Sequence, residues 1–226
     1  MKIKLPEEAK KAVSVVAEKI GKDKVFLVGG FVRDLLLSRH STDIDRATSL
    51  DPDKVFALFP YGYRSPFGTV SFKLGGFSFT IATRRKEEGY LDYRHPSSFV
   101  FVGSPLEEYS RRDFTVNCLY VNRDGEILDP TGRGLKDIRH KKLVRIGNPK
   151  TRLSEDPLRI LRAFRFSKER NLKLSHRLKR ARKKAKPLIH NLKKAKIKEE
   201  VRKCPKADQK ARIDFLSLGF AFEKGE

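Results

Sequence analysis

Two carboxylates in Asp43-Ile44-Asp45 and the glycine pair Gly29-Gly30 upstream are the residues whose types and spacing best suit chemistry. On an extended strand, side chains two residues apart point the same way, so Asp43 and Asp45 face one point. Two ionised carboxylates aimed at one point suit a divalent metal with oxygen ligands. Gly29-Gly30 marks a tight turn, where backbone can approach a ligand closely. A metal beside a backbone anion cradle is a place for a nucleoside triphosphate. Taken alone, Asp43-Ile44-Asp45 reads equally as a strand end with Ile44 as its core contact. The glycines have neither the Gly-Lys-Ser/Thr ending of a phosphate loop nor the three-glycine dinucleotide pattern.

The flanking residues say how these groups are held. Val25-Phe26-Leu27-Val28 is an apolar run that fits a buried strand, and Arg33-Asp34 with Leu35-Leu36-Leu37 opens a helix after the glycines. Arg33 reads either as a phosphate contact or as the structural partner of Asp34, since a buried arginine needs an acid. Upstream, Pro6 to Ile20 carries an apolar stripe at helical spacing and stops at Gly21. Asp51 caps a helix from Pro52 to Leu58. Thr69 to Leu74 and Phe77 to Ala82 are predicted strands joined in a hairpin at Gly75-Gly76. These elements predict a sheet of mixed strands with helices on one face.

From Arg84 to Tyr109 the periodicity fades, and the length exceeds an ordinary connection, so a functional or disordered loop is predicted. Glu107 to Asn117 reads as a helix that would put Asp113 and Asn117 on one face beside Arg111 and Arg112. It runs into a short strand at Cys118 to Val121, with a turn at Asn122 to Gly125. From Ser154 the period becomes 3.6, and Glu155 and Asp156 suit the first turn of a helix. Asp156 and Arg159 are three apart and present together on it. The stretch from Lys168 to Lys206 predicts two or three short helices, broken near Pro187, and Arg212 to Phe222 is one more apolar-faced segment.

Leu27-Val28-Gly29-Gly30-Phe31-Val32-Arg33-Asp34 with Asp43-Ile44-Asp45, then Arg111-Arg112-Asp113-Phe114-Thr115-Val116-Asn117, then Glu155-Asp156-Pro157-Leu158-Arg159 continuing to Phe166, resemble in order the motifs of the class II tRNA nucleotidyltransferase and bacterial poly(A) polymerase family. The likeness is close over roughly the first three-quarters of the chain. It implies an α+β fold: a polymerase-beta-like nucleotidyltransferase head with a mixed sheet over residues 1–147, and a short helical neck and truncated basic body over 148–226. It implies template-independent addition of CCA to tRNA from CTP and ATP, with Asp43 and Asp45 catalytic and holding Mg²⁺. Gly29, Gly30, Arg33, Arg111, Arg112, Asp113 and Asn117 become nucleotide and phosphate contacts. Asp156 and Arg159, with Glu155, become the readers of the incoming base. Asp92 and Arg94 fall in a loop that switches nucleotide selection, and its retention favours full CCA over CC-only addition. Gly132, Gly134 and Asp137 fall in a hinge segment. Thr80 stands where the family often has a third carboxylate. Family members continue through a larger helical body, so a minimal enzyme, a part of an assembly and a fragment all stay open.

The composition fits a nucleic-acid partner. With 51 Lys+Arg against 28 Asp+Glu, the formal net charge of the 226 residues is +23. Arg162, Arg165, Arg177, Arg180, Lys183 and Lys184 are the expected RNA contacts, reading a tRNA acceptor end by charge and shape. No apolar segment is long enough to span a membrane, and the expected place is the cytoplasm. Cys118 reads as a buried thiol, and no Cys or His cluster suggests zinc. A homodimer or a helper subunit would extend the RNA surface. The rival readings are an A-adding or CC-adding enzyme, a poly(A) polymerase, and a non-catalytic RNA-binding module.

Overall fold

The protein was analysed as a computed structural model that describes residues 1–65, 68–90 and 96–203. The chain divides into two units, residues 1–88 with 98–140 and residues 89–97 with 141–226. The first unit begins with α1 (Glu7–Ile20), β1 (Val25–Val28), α2 (Gly30–Leu36), β2 (Asp43–Thr48) and α3 (Pro52–Leu58). β3 (Tyr63–Arg64), β4 (Thr69–Leu74) and β5 (Phe77–Thr83) follow. A seven-stranded sheet runs β3-β4-β5-β2-β1, completed by β8 (Tyr120–Val121) and β9 (Ile127–Leu128). Only β2 and β5 pair in parallel; the other neighbours are antiparallel, which makes the sheet mixed as expected.

Strand alternation sorts this sheet into two faces. Ile44, Phe79 and Phe72 are in register across β2, β5 and β4, and all are buried. Phe72 stacks on Phe59, at the end of α3, with ring centroids 4.5 Å apart, and on Phe79 at 5.5 Å. α1 covers the same face, since Arg46 of β2 donates from Nη1 to the Val13 carbonyl at 2.8 Å. The opposite face carries Asp43 and Asp45, level in register with Ser78 and Thr80. Local chemistry matches these elements. Asp51 Oδ1 accepts from the Asp53 N–H at 2.8 Å to cap α3, and Gly75 and Gly76, at φ of 57° and 80°, form the hairpin turn.

Two expectations need correction here. First, Arg84 to Tyr109 is not without structure: β6 (Arg85–Tyr90) and β7 (Pro96–Phe101) form a two-stranded ribbon. A ribbon has no core face to mark with alternating apolar residues. Instead Arg85 pairs with Glu87 at 2.7 Å and lies over the Phe99 ring. Second, Glu107 to Asn117 is not one helix. α4 (Pro105–Glu108) starts in a capping box at Ser104, and two 3-10 turns follow, Tyr109–Arg111 and Thr115–Asn117. Arg112 and Phe114 between them are extended. Asp113 Oδ1 accepts the Phe114 N–H at 2.7 Å, a local bond that competes with helix continuation. The run Phe114 to Val121 is buried throughout, and α5 (Gly134–Arg139) docks on it through Thr115, whose hydroxyl donates to Asp137 Oδ2 at 2.7 Å.

In the second unit, β10 (Lys142–Leu143) pairs in parallel with β11 (Lys173–Leu174). The helices are α6 (Pro149–Glu155), α7 (Leu158–Glu169), α8 (His176–Ala185) and α9 (Lys194–Arg202), with a 3-10 stretch, Lys186–Asn191, between the last two. Leu143, Leu153, Ile160, Leu161, Leu172, Leu178 and Ile189 make its core. The break expected at Pro187 is this 3-10 stretch. The helix expected from Ser154 is instead two. Asp156 precedes Pro157, which disfavours helical backbone, and it sits at φ −145°, ψ 91°. Arg212 to Phe222 lies outside the described residues.

Phe79→Ala empties a site enclosed by Phe72 and buried to 1% exposure. It is expected to lower unfolding free energy by about 3–5 kcal/mol, read from urea titration.

Candidate active site

β1 ends at Val28, which pairs with Asp45, so the Gly29-Gly30 turn leaves the sheet beside that carboxylate. Gly29 sits at φ 77°, and a Cβ there would lie 2.8 Å from Asp45 Oδ2. Only glycine meets both demands. The Gly30 N–H donates to Asp45 Oδ2 at 3.4 Å. Asp45 is half-buried and Asp43 exposed, on one face of β2, while Ile44 between them is fully buried. Ile44 is therefore the core anchor that aims both carboxylates outward.

Thr80 is level with Asp45 in the parallel register, and its hydroxyl lies 3.4 Å from Ser71 Oγ. It adds a neutral oxygen and no third negative charge. Among the described residues no group of three or more His, Cys, Asp or Glu could hold a metal. The two carboxylates nonetheless suit Mg²⁺, which binds through one or two carboxylates and fills its remaining positions with water and substrate phosphate.

From Gly30 the site continues through α2. Arg33 is 2% exposed. Its Nε donates to Asp34 Oδ1 at 2.8 Å and its Nη1 to Asn117 Oδ1 at 2.7 Å. Asn117 Nδ2 in turn donates to Asp113 Oδ1 at 3.0 Å. Of the two readings of Arg33, the pairing with Asp34 is the one its side chain makes. Asn117 and Asp113 do meet, through a 3-10 turn rather than an α-helix.

Sequence reasoning passed over Glu108, the group that holds Arg111 and Arg112. Its side chain is fully buried and accepts from Arg112 Nη2 at 3.1 Å, from the Tyr120 hydroxyl at 2.6 Å and from Arg111. Arg112 Nε also donates to the Tyr120 oxygen at 2.7 Å. Burial pushes the Glu108 carboxyl up, but Arg112, Arg111 and the Tyr120 hydroxyl outweigh it and bring it down to about 2. The only sequence signal was an acid three and four residues before two arginines, on a short helix. Nearby, burial pushes the Cys118 thiol up to about 12, as befits an inert core cysteine.

In the second unit, Glu155, Asp156 and Arg159 are neighbours. Asp156 Oδ1 accepts the Leu158 N–H at 3.1 Å, so it caps α7 rather than lying within it. Arg159 Nε is 3.3 Å from Asp156 Oδ2, its Nη1 is 3.5 Å from Glu155, and it also donates to the Arg152 carbonyl at 3.0 Å. Arg165 is buried between Glu200, at 2.8 Å, and Glu169, at 3.1 Å. The Glu200 partnership was not legible in the sequence. Arg162 lies over the Phe166 ring. Arg177, Arg180, Lys183 and Lys184 of α8 are all exposed. Asp92 and Arg94 lie outside the described residues.

The folded-state value of Glu108 lies below the 4.5 of the free group. Its ionised form therefore stabilises the fold above about pH 4.5, and that contribution is lost as pH falls towards 2. Glu108→Gln is expected to cost about 3–5 kcal/mol at neutral pH, because Arg111 and Arg112 lose their shared acid. It should also flatten the acid limb of stability against pH; urea titrations from neutral pH downward measure both.

Comparison with known proteins finds relatives of this chain and of its fold. A model of the poly A polymerase head domain matches residues 25–144. The CCA-adding enzyme of Geobacillus sp. (strain WCH70) is 42% identical over 160 residues, which cover 70% of this chain and 39% of that protein. The CCA-adding enzyme of Lactobacillus helveticus (strain DPC 4571) is 38% identical over 201 residues, covering 87% and 50%. Among solved structures, the Bacillus stearothermophilus CCA-adding enzyme in complex with CTP superposes with a TM-score of 0.74 at 28% identity, over 88% of this chain and 48% of that one. A tRNA nucleotidyltransferase complexed with a primer tRNA and an incoming ATP analog gives 0.69 at 27% identity, over 91% and 59%. The chain spans about half the length of the curated relatives it matches. No described helix is long and apolar enough to cross a membrane. Because the head model runs unbroken from the first residue of β1 through the carboxylate strand and the Asp113–Asn117 turn, the chain belongs to the poly A polymerase head-domain family.

Proposed function

We propose that this chain performs template-independent addition of nucleotides to an RNA 3′ end, completing CCA on tRNA from CTP and ATP in the cytoplasm. The observation that carries the reading is Asp45 seated against the Gly29-Gly30 turn, with Asp43 beside it on the same strand face. Family membership and relatives named as CCA-adding enzymes support it.

Asp43 and Asp45 are the residues that would hold Mg²⁺. When bound, the metal supplies a lowered barrier to attack by the RNA 3′-hydroxyl on the α-phosphorus and charge neutralisation for the departing pyrophosphate. The chain's own groups do the remaining work. The Gly30 N–H holds Asp45 in place. Arg33 braces α2 against the Thr115–Asn117 turn, and so sets Asn117 and Asp113 for a ribose hydroxyl. Arg111 and Arg112, oriented by Glu108, present guanidinium edges to phosphate oxygens. Asp156 accepts from, and Arg159 donates to, the Watson–Crick edge of the incoming base, with Glu155 steadying Arg159. Cytosine and adenine both offer an amino donor and a ring acceptor there, which guanine and uracil do not. Asp92 and Arg94 belong to the selection switch. Arg162 and the exposed cations of α8 bear on RNA phosphates, while Arg165 acts through its hold on Glu200. A second copy of the chain or a helper subunit would extend this RNA surface.

The test uses purified protein, Mg²⁺ and tRNA transcripts lacking the last three, two or one nucleotides, given CTP, ATP or both, with products resolved at single-nucleotide length. Growth to CCA and a halt is expected. Addition of A alone, of CC alone, or of long A tails would reassign the product within the same chemistry. No extension of any transcript would overturn the enzyme reading and leave an RNA-binding module. Asp45→Asn is expected to retain the fold, checked by circular dichroism, and to lower turnover by several orders of magnitude.

Base choice gives a separate expectation. Asp156→Ala and Arg159→Ala should erode the preference for CTP and ATP over GTP and UTP in single-turnover incorporation. Unchanged preference in both variants would remove these residues from base reading.

A further inference from the structure

The face of the sheet opposite the carboxylates holds a group that the reaction does not use. Arg46 follows Asp45 on β2 and so points to the other side. It is 3% exposed. Its Nη1 donates to the Val13 carbonyl, and its Nε is buried with no hydrogen-bond partner. Among the described residues no carboxylate lies within ion-pair distance of it. Burial alone lowers its pKa to about 10, with no acid pulling the other way. Arg33 and Arg112, which belong to the site, each have a bonded acid, whereas Arg84, also buried, is held like Arg46 by backbone carbonyls, those of Ala47 and Gly103.

Arg46 lines a cavity of about 290 Å³ between α1, β1, β2 and the Asn122–Asp124 turn. Leu5, Val13, Ala17 and Leu27 give this cavity an apolar wall, and Ser14 and Asn122 add neutral polar groups. The charged residues at its edge pair off with each other. Glu18 lies 3.9 Å from Lys22, and Asp124 lies 3.6 Å from Arg123. What remains is one desolvated guanidinium in the wall of a half-open, partly apolar cavity.

We propose that this cavity is a binding site for a small organic anion: an oxyanion head on Arg46 and a short apolar body against Leu5, Val13, Ala17 and Leu27. A guanidinium matches a carboxylate or phosphate through paired N–H donors, and it binds most strongly where water is excluded. The size suits a molecule of a few carbon atoms and excludes a nucleotide. The site shares β2 with Asp45 but not its face, so it is separate from the phosphate-binding turn.

Two probes identify the head and the body: sodium hexanoate and inorganic phosphate. Each is titrated into ¹⁵N-labelled full-length protein at constant ionic strength, which suppresses general attraction to a chain of this charge. Saturable shifts centred on Ser14, Arg46 and Asn122 are expected with hexanoate, and tighter than with phosphate. Equal affinity for phosphate would keep the oxyanion site and drop the apolar body. Arg46→Leu is expected to weaken binding by at least about ten-fold. Replacing an unpaired buried cation by an apolar residue does not threaten the fold, so this variant is a fair control. Shifts that do not saturate with either probe, or that persist unchanged in Arg46→Leu, would overturn the site.

Discussion

The contact between Asp45 and the Gly29-Gly30 turn is the constraint around which the first unit is arranged. A carboxylate at the surface of a sheet is ordinarily free to turn into water. Here a backbone N–H bonds one of its oxygens, and the turn passes so close that a methyl group at Gly29 would strike it. The closeness is possible because Val28 and Asp45 are paired in register, so the strand that ends at the glycines delivers them to the carboxylate. β2 is in turn held by Ile44, which is sealed on the far face by the Phe79 and Phe72 layer. The apolar core on one face of the sheet thus sets the position of the charged groups on the other.

A second feature is how the unit tolerates so many buried charges. Burying an arginine costs several kcal/mol unless an acid and further hydrogen bonds accompany it. Arg33 has Asp34 and Asn117, and Arg112 has Glu108 and Tyr120. In the second unit Arg165 has Glu200 and Glu169. Two of these arrangements tie elements distant in sequence: Arg33 and Asn117 are 84 residues apart, and Arg165 and Glu200 are 35 apart. Breaking such a pair leaves a charge stranded, so these bonds favour one arrangement of α2 and of α7 over others. Arg46 and Arg84 depart from this pattern, each having backbone carbonyls in place of a bonded acid.

Much of the scaffold was legible in the residues because its signals are local. The apolar run of β1, the Asp51 cap and the glycine hairpin at Gly75-Gly76 each depend on neighbours within four positions, and each stands where the sequence put it. The alternation of Asp43, Ile44 and Asp45 likewise needs only the two-residue period of a strand. Local reading failed where two local preferences competed. The apparent helix through Asp113 gave way to that residue's bonds with the Phe114 N–H and with Asn117. The apparent helix from Ser154 gave way to Pro157, which turned Asp156 into a cap.

What the sequence determined by itself was the kind of chemistry: two carboxylates on one strand, a glycine turn, clusters of guanidinium groups and a cationic surface. Only the tertiary structure decided which of those charges face outward and which are held within the protein. Arg33, Arg111, Arg112 and Arg165 each pair with an acid of the chain, which fixes where the guanidinium lies. The type of a side chain fixes its charge, but burial and the partner across the fold set where that charge is directed. The remote partners, Asn117 for Arg33 and Glu200 for Arg165, are brought in by packing between elements, and no spacing along the chain records them.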